Sequence, residues 1–136
     1  MDLSTHAAGT FEIDTWDEEP YDEREGARLA RTRLTKTFHG DVDGESTAEL
    51  LMVYAAGEGS AAYVGFERFV GRVNGRSGSF VLHHTASSDG SRGEPSAAWS
   101  VVPDSATGEL RGLRGEARII NEPDGGHSFT LDYDLE

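Results

Sequence analysis

The chain contains no cysteine in its 136 residues, which excludes a disulfide framework, a thiolate nucleophile and a cysteine zinc site. Nor does any apolar run approach the ~18 residues that a membrane helix needs. The opening "MDLSTHAAGTFEID" lacks the basic region and apolar stretch of an export signal. A cytoplasmic location without a membrane partner is therefore the expectation. Helical spacing is scarce as well, with "EREGARLARTRL" as its only weak instance.

Positive charge is the other shortage. Asp and Glu number 25 against 12 Lys and Arg, giving a formal net charge of −13, and the only lysine is Lys36. A polyanion is repelled by such a field, because nucleic-acid affinity rests on Lys and Arg neutralising phosphates, so no nucleic-acid partner is expected. The acidity is front-loaded in "DTWDEEPYDERE", residues 14–25. That run lacks the Asp, Asn and Gly spacing of a calcium loop and reads as a solvated acidic connection over residues 17–26.

What the sequence does have is two-residue alternation separated by glycine-bearing turns. In "HSFTLDYDLE" the residues His127, Phe129, Leu131, Tyr133 and Leu135 share one face, and Ser128, Thr130, Asp132 and Asp134 share the other. The same template predicts eight strands: 9–16, 27–38, 46–55, 61–73, 78–86, 95–103, 108–120 and 127–135. Asn74-Gly75 is the dipeptide of a type I′ hairpin, and "GDVDGE", "AAGEGSAA" and "EPDGGH" supply further turns. Short turns make consecutive strands antiparallel, and an even meander of eight can close and remove its edges. The predicted fold is all-β, a single eight-stranded antiparallel up-and-down β-barrel. One domain spans 1–136, with an N-terminal tail at 1–8 and the barrel from about residue 9. Strand glycines such as Gly65, Gly71, Gly78, Gly112 and Gly115 suit curvature. "SSDGSRGEPS", residues 87–96, reads as a surface loop.

Five histidines are present, two of them adjacent in "FVLHHT". In an extended strand neighbours point to opposite faces, so His83 goes with Val81 and Thr85, while His84 goes with Phe80 and Leu82; the pair cannot chelate one metal. Taking Asn74-Gly75 as the turn, Val73 faces Arg76, Phe69 faces Phe80, Glu67 faces Leu82 and Gly65 faces His84. Glu67 and His84 then become diagonal neighbours on one face with Phe69, Phe80 and Leu82. His83 falls on the face that carries Arg68 and Arg72, the solvent side.

A carboxylate beside an imidazole in apolar surroundings is a candidate acid/base pair, with desolvation drawing the carboxyl pKa upward. Glu67 is the candidate base or hydrogen-bond acceptor and His84 the donor. Phe69, Phe80, Leu82, Trp99 and Tyr133 are the candidate ligand-binding wall. No metal or nucleotide cofactor is called for: "GLRGEAR" is not a phosphate loop, and "GES" lacks the nucleophile-elbow pattern.

Five stretches taken together, "GTFEIDTWDEEPYDE", "TKTFHGDVDGESTAE", "GFERFVGRVNGRSGSFVLHHT", "WSVVPDSATGELRGLRGE" and "FTLDYDL", carry a resemblance from about Gly9 to the C-terminus. The chain resembles the uncharacterised bacterial family known as domain of unknown function 3224. That resemblance implies an allene-oxide-cyclase-like β-barrel with a central cavity and brings no catalytic residues with it. The chain departs from the family's usual pattern at Ala106, where glycine is usual, and at His83, where glutamine is common.

Two functions follow as expectations. The first is binding of a small, largely apolar molecule in the lumen, with isomerase-like or cyclase-like turnover as its enzymatic form. The second is a non-enzymatic oligomerisation or interaction module with a packed lumen. A pocket of ~300 Å³ would favour the first.

Overall fold

The structure is a computed structural model that describes residues 5–57, 59–89 and 96–135. It contains β1 (Thr5–Arg24), β2 (Ala27–Gly40), β3 (Val42–Ala55), β4 (Ser60–Val73), β5 (Arg76–Asp89), β6 (Ser96–Val101), β7 (Thr107–Gly108), β8 (Leu113–Asn121) and β9 (His127–Leu135). There is no helix among the described residues, and therefore none long and apolar enough to cross a membrane.

All pairings are antiparallel. The strand order β4-β3-β2-β1-β9-β8-β6-β5 is closed by pairing of β4 with β5, which makes a barrel-like ring of eight. The two-residue β7 pairs with β5 at Gly78 and Ser79, and β6 pairs with it from Leu82 onward. The ends of the chain meet where β1 pairs β9 from Thr5↔Tyr133 to Phe11↔His127.

The β4–β5 hairpin shows how local chemistry sets register. Asn74 and Gly75 have φ of 48° and 83°, the double positive φ of a type I′ turn, so Val73↔Arg76 is the first pair and Gly65↔His84 follows. Alternation then carries Glu67, Phe69, Phe80, Leu82 and His84 inward and leaves Phe66, Arg68, Val70 and Arg72 outside. His83 lies half-buried on the outer wall, its ring stacked on Phe66 at 5.2 Å.

Glycine permits the tightest part of the ring. Gly44, Gly71, Gly78 and Gly108 pair in one row across β3, β4, β5 and β7, and a Cβ at Gly71 would lie 2.2 Å from the Asp43 carbonyl oxygen. No larger residue fits that approach of backbones. Over this row the Phe69 ring packs, and Phe38 meets Phe69 and Phe129 edge-on at 5.5 and 5.3 Å. Each fully buried phenylalanine contributes about 1.5–3 kcal/mol, and this end of the ring is filled.

Besides β3 beginning at Val42, inside the expected turn "GDVDGE", the structure departs from the sequence reading in four main places. The acidic run is not a connection: β1 continues through it to Arg24, paired with β2 as far as Arg24↔Ala27. Two register shifts, at Ile13/Thr15 and Pro20/Asp22, absorb the irregularity. Pro20 sits at the second of these shifts, on a half of β1 whose outer edge no described strand pairs beyond Phe11, and bulges and edge strands are where a sheet tolerates proline. Second, Thr5 to Ala8, expected as tail, already belong to β1, and residues 1–4 lie outside the described residues. Third, the predicted strand 108–120 begins only at Leu113, because residues 109–112 form a turn with Gly112 at φ 86°. Fourth, β5 runs to Asp89 in the expected loop, whose residues 90–95 lie outside the described residues.

Candidate functional site

On β2 the inward phase is Ala30, Thr32, Leu34, Lys36 and Phe38, so the chain's only lysine is delivered to the interior between two apolar residues. Lys36 is 4% exposed, beside Glu67 at 0%, His84 at 2% and Ser46 at 4%. Burial of ionised groups is costly unless they are paired and hydrogen-bonded, and here they are both. Lys36 Nζ donates to Glu67 Oε1 at 3.0 Å, His84 Nε2 reaches the same oxygen at 2.8 Å, and Ser46 Oγ donates to Oε2 at 2.5 Å. Each element supplies one group: Lys36 from β2, Ser46 from β3, Glu67 from β4 and His84 from β5.

The electrostatics follow from these contacts. Burial alone would raise the Glu67 carboxyl, but the hydrogen bond from His84, the charge of Lys36 and the Ser46 hydroxyl outweigh it and hold the pKa at about 2. Burial holds the His84 imidazole below its ordinary 6.5, against the pull of Glu67. At neutral pH Glu67 is thus ionised and His84 neutral, with Nε2–H donating to the carboxylate.

Above this cluster lies a cavity of about 280 Å³, lined by Phe11, Ile13, Trp16, Leu34, Ala48, Leu50, Met52, Tyr63, Ala97, Trp99, Ile119 and His127 together with Lys36 and His84. Lys36 Nζ sits 4.8 Å from the Phe11 ring and 4.7 Å from the Trp99 ring, in cation–π range of both. His84 packs against Trp99 with ring centroids 3.6 Å apart, and His127 stacks on Phe11 at 4.9 Å. Burial raises the Tyr63 hydroxyl pKa, with a hydrogen bond donated by Trp99 opposing it. Larger hollows of about 380 and 440 Å³ lie beside Thr47 and Arg68; Lys36 and Ser46 also line the first, and neither is lined by Glu67 or His84. Among the described residues no group of three or more His, Asp or Glu is placed to hold a metal ion.

The structure brings Glu67 and His84 together and surrounds them with two groups that the sequence reading did not assign, Lys36 and Ser46. Lys36 carried a readable signal, an isolated lysine on the apolar phase between Leu34 and Phe38. The hydrogen bond from His84, the charge of Lys36 and the Ser46 hydroxyl together reverse the expected upward shift of Glu67. With three donors on its two oxygens, that carboxylate sits as the hydrogen-bond acceptor between Lys36, His84 and Ser46. Of the five expected wall residues only Trp99 lines the cavity. Phe69, Phe80, Leu82 and Tyr133 belong to the packed core instead, because their positions along the strands lie toward the filled end. There the Tyr133 hydroxyl accepts from Asn74 Nδ2 at 2.8 Å.

A second polar cluster lies on the β1–β2–β3 arm. Glu18 accepts from Tyr54 at 2.7 Å, Thr32 at 3.2 Å and Arg28 at 3.2 Å, and the Tyr54 hydrogen bond leads the causes that lower its pKa. Tyr54 is pushed up to about 12 by burial and by Glu18. These contacts hold one residue of the acidic run against the sheet.

The molecule is thus a small antiparallel barrel, packed at one end and hollow at the other, with a buried ion pair between them. The family described as "Protein of unknown function (DUF3224)" matches residues 7–133, and the chain belongs to that family. It is similar to a crystallised protein of unknown function from the DUF3224 family of Shewanella oneidensis MR-1. The two share 34% identity over 97% of this chain and 98% of that one, with a TM-score of 0.82. No curated protein matches the chain.

Proposed function

We propose that the protein binds a small, largely apolar molecule in the cavity above Lys36, Glu67 and His84. The observation that carries this is the contrast within one interior: about 280 Å³ stays open over a buried, fully oriented polar cluster while the other end is filled by Phe38, Phe69, Phe80 and Phe129. A cavity of ~150 Å³ admits benzene, so this one suits a body of roughly two rings. The same arrangement suits proton transfer of the isomerase or cyclase kind, with His84 as the proton-carrying group, Lys36 stabilising developing negative charge and Glu67 positioning both.

Mass spectrometry of small molecules released from natively purified protein tests the binding directly. Leu50→Trp fills the cavity; the expected outcome is a folded variant that releases no such molecule. Equal recovery from the variant and the wild type would rule out the cavity as the site.

A second reading, self-association through the outer wall, is favoured by Leu51, Val64, Phe66 and Val70, all more than two-fifths exposed on β3 and β4. Sedimentation over a hundredfold concentration range tests it. A wild type that associates and a Phe66→Glu variant that does not would support this reading, and a wild type monomeric throughout would remove it.

A further inference from the structure

On the outside of the barrel, charge is sorted by strand. The outward phase of β2 carries Arg31 and Arg33, that of β3 carries Asp43, Glu45 and Glu49, and that of β4 carries Arg68 and Arg72, all of them exposed. Four arginines against three acids give this wall a formal net charge of +1, in a chain whose total is −13. Two copies of so acidic a chain repel one another, and the repulsion is least where they meet through this wall. The exposed Leu51, Val64, Phe66 and Val70 stand among the charges on β3 and β4. None of Asp43, Glu45, Glu49, Arg68 and Arg72 is in an ion pair with another described residue.

Register decides what such a face can pair with. Across β3 and β4 the neighbours are Asp43↔Arg72, Glu45↔Val70, Thr47↔Arg68, Glu49↔Phe66 and Leu51↔Val64. Two sheets that pack face to face keep their strands nearly aligned. A two-fold axis running along the strands, midway between β3 and β4, keeps every residue at its level and lays β3 of each copy over β4 of the other. Arg72 then meets Asp43 of the second copy, Arg68 falls between Glu45 and Glu49 of that copy, and Val64 meets its Leu51. The same contacts recur on the other side of the axis, as an isologous interface requires. Phe66 and Val70 flank Arg68 and keep water from its pairing, which strengthens the attraction. An axis across the strands instead turns β3 onto β3 and sets acid against acid.

We infer that two copies of the chain pack as a two-fold dimer through the outer faces of β3 and β4, with the β3 acids of each copy on the β4 arginines of the other. The inference rests on the self-association reading and adds its symmetry and its pairing.

The test uses two half-variants of the full chain, one with Arg68→Glu and Arg72→Glu, the other with Asp43→Lys and Glu49→Lys, in sedimentation over a hundredfold concentration range. Each alone sets like charges together at the interface and is expected to lose at least about tenfold in dimer affinity. Mixed in equal amounts, the two are expected to form a one-to-one dimer at least as tightly as the wild type, because every contact then joins unlike charges. A single chain with all four substitutions keeps the formal net charge and should associate like the wild type. Half-variants that associate as the wild type does, or a mixture or four-substitution chain that stays monomeric while the wild type associates, would overturn the β3-on-β4 pairing and leave self-association standing. A wild type monomeric throughout would overturn both, and leave the wall to a partner other than a second copy. Should a half-variant fail to fold, the four-substitution chain compared with the wild type decides the matter alone.

Discussion

Lys36 and Glu67 are each tolerated in the interior only because the other is there. Removing one partner of a buried pair leaves an uncompensated charge, whereas removing both leaves a neutral gap. Lys36→Met and Glu67→Gln are each expected to destabilise by about 3–5 kcal/mol, and the double variant by clearly less than the sum, read from urea midpoints in a double-mutant cycle. Additive losses would show that the pair is not coupled. The same residues set the pH response. His84 has a folded pKa below its ordinary 6.5 and Glu67 one near 2, below its ordinary 4.5, so the unfolded chain binds more protons in both windows. Stability from both groups is present above the unfolded pKa values and is lost as pH falls, first below about 6.5 through His84 and then from about 4.5 toward 2 through Glu67. Thermal midpoints between pH 8 and pH 3 are expected to decline steadily, with the decline below pH 4.5 reduced in Glu67→Gln.

At the scale of an element, β1 is the strand that sequence patterning misjudged. Its first half closes the ring against β9, and among the described residues its second half pairs only with β2. An open edge of that length invites pairing with another chain, and charged side chains are a common guard. Asp17, Glu19 and Glu23 are exposed on that half, beside exposed Trp16 and Tyr21. The acidity is placed to guard that edge, while Glu18, half-buried, turns to the sheet and ties down Arg28, Thr32 and Tyr54. Neutralising Asp17, Glu19 and Glu23 together to Asn, Gln and Gln is expected to raise light scattering at fixed concentration, and high salt should shift the wild type in the same direction. An unchanged scattering profile would count against the guard.

Across the whole molecule, the interior is asymmetric. Phe38 lies among Phe11, Phe69 and Phe129 in the filled half, while Leu50 borders the hollow. Phe38→Ala is expected to cost about 3–5 kcal/mol and Leu50→Ala about 2 kcal/mol, near the low end of its class, because the hollow already lacks part of the contact that truncation removes. Equal losses in urea unfolding would mean that the hollow is closed in solution.

Alternation and one turn dipeptide were enough to read the ring of strands, the Asn74-Gly75 register and the meeting of Glu67 with His84, because strand period and turn geometry are local properties of the chain. The extent of β1 was not legible: acids and a proline look like linker until a partner strand and an unpaired edge are known. Nor was the wall of the cavity, since alternation says which residues point inward but not how far along the barrel axis each one lies. Phe69 and Trp99 both belong to the buried core, yet only Trp99 also borders the open space. The role of Lys36 was hidden for a related reason. Its phase on β2 is written in the sequence, but its distance to Glu67, 31 residues away, exists only once β2, β3 and β4 lie side by side. The sequence by itself determined the strand phases and the hairpin register, which depend on neighbours a few residues apart. Tertiary closure decided the charge state of the site, the place of the cavity and the use of the acidic edge, because each depends on groups brought together from separate strands.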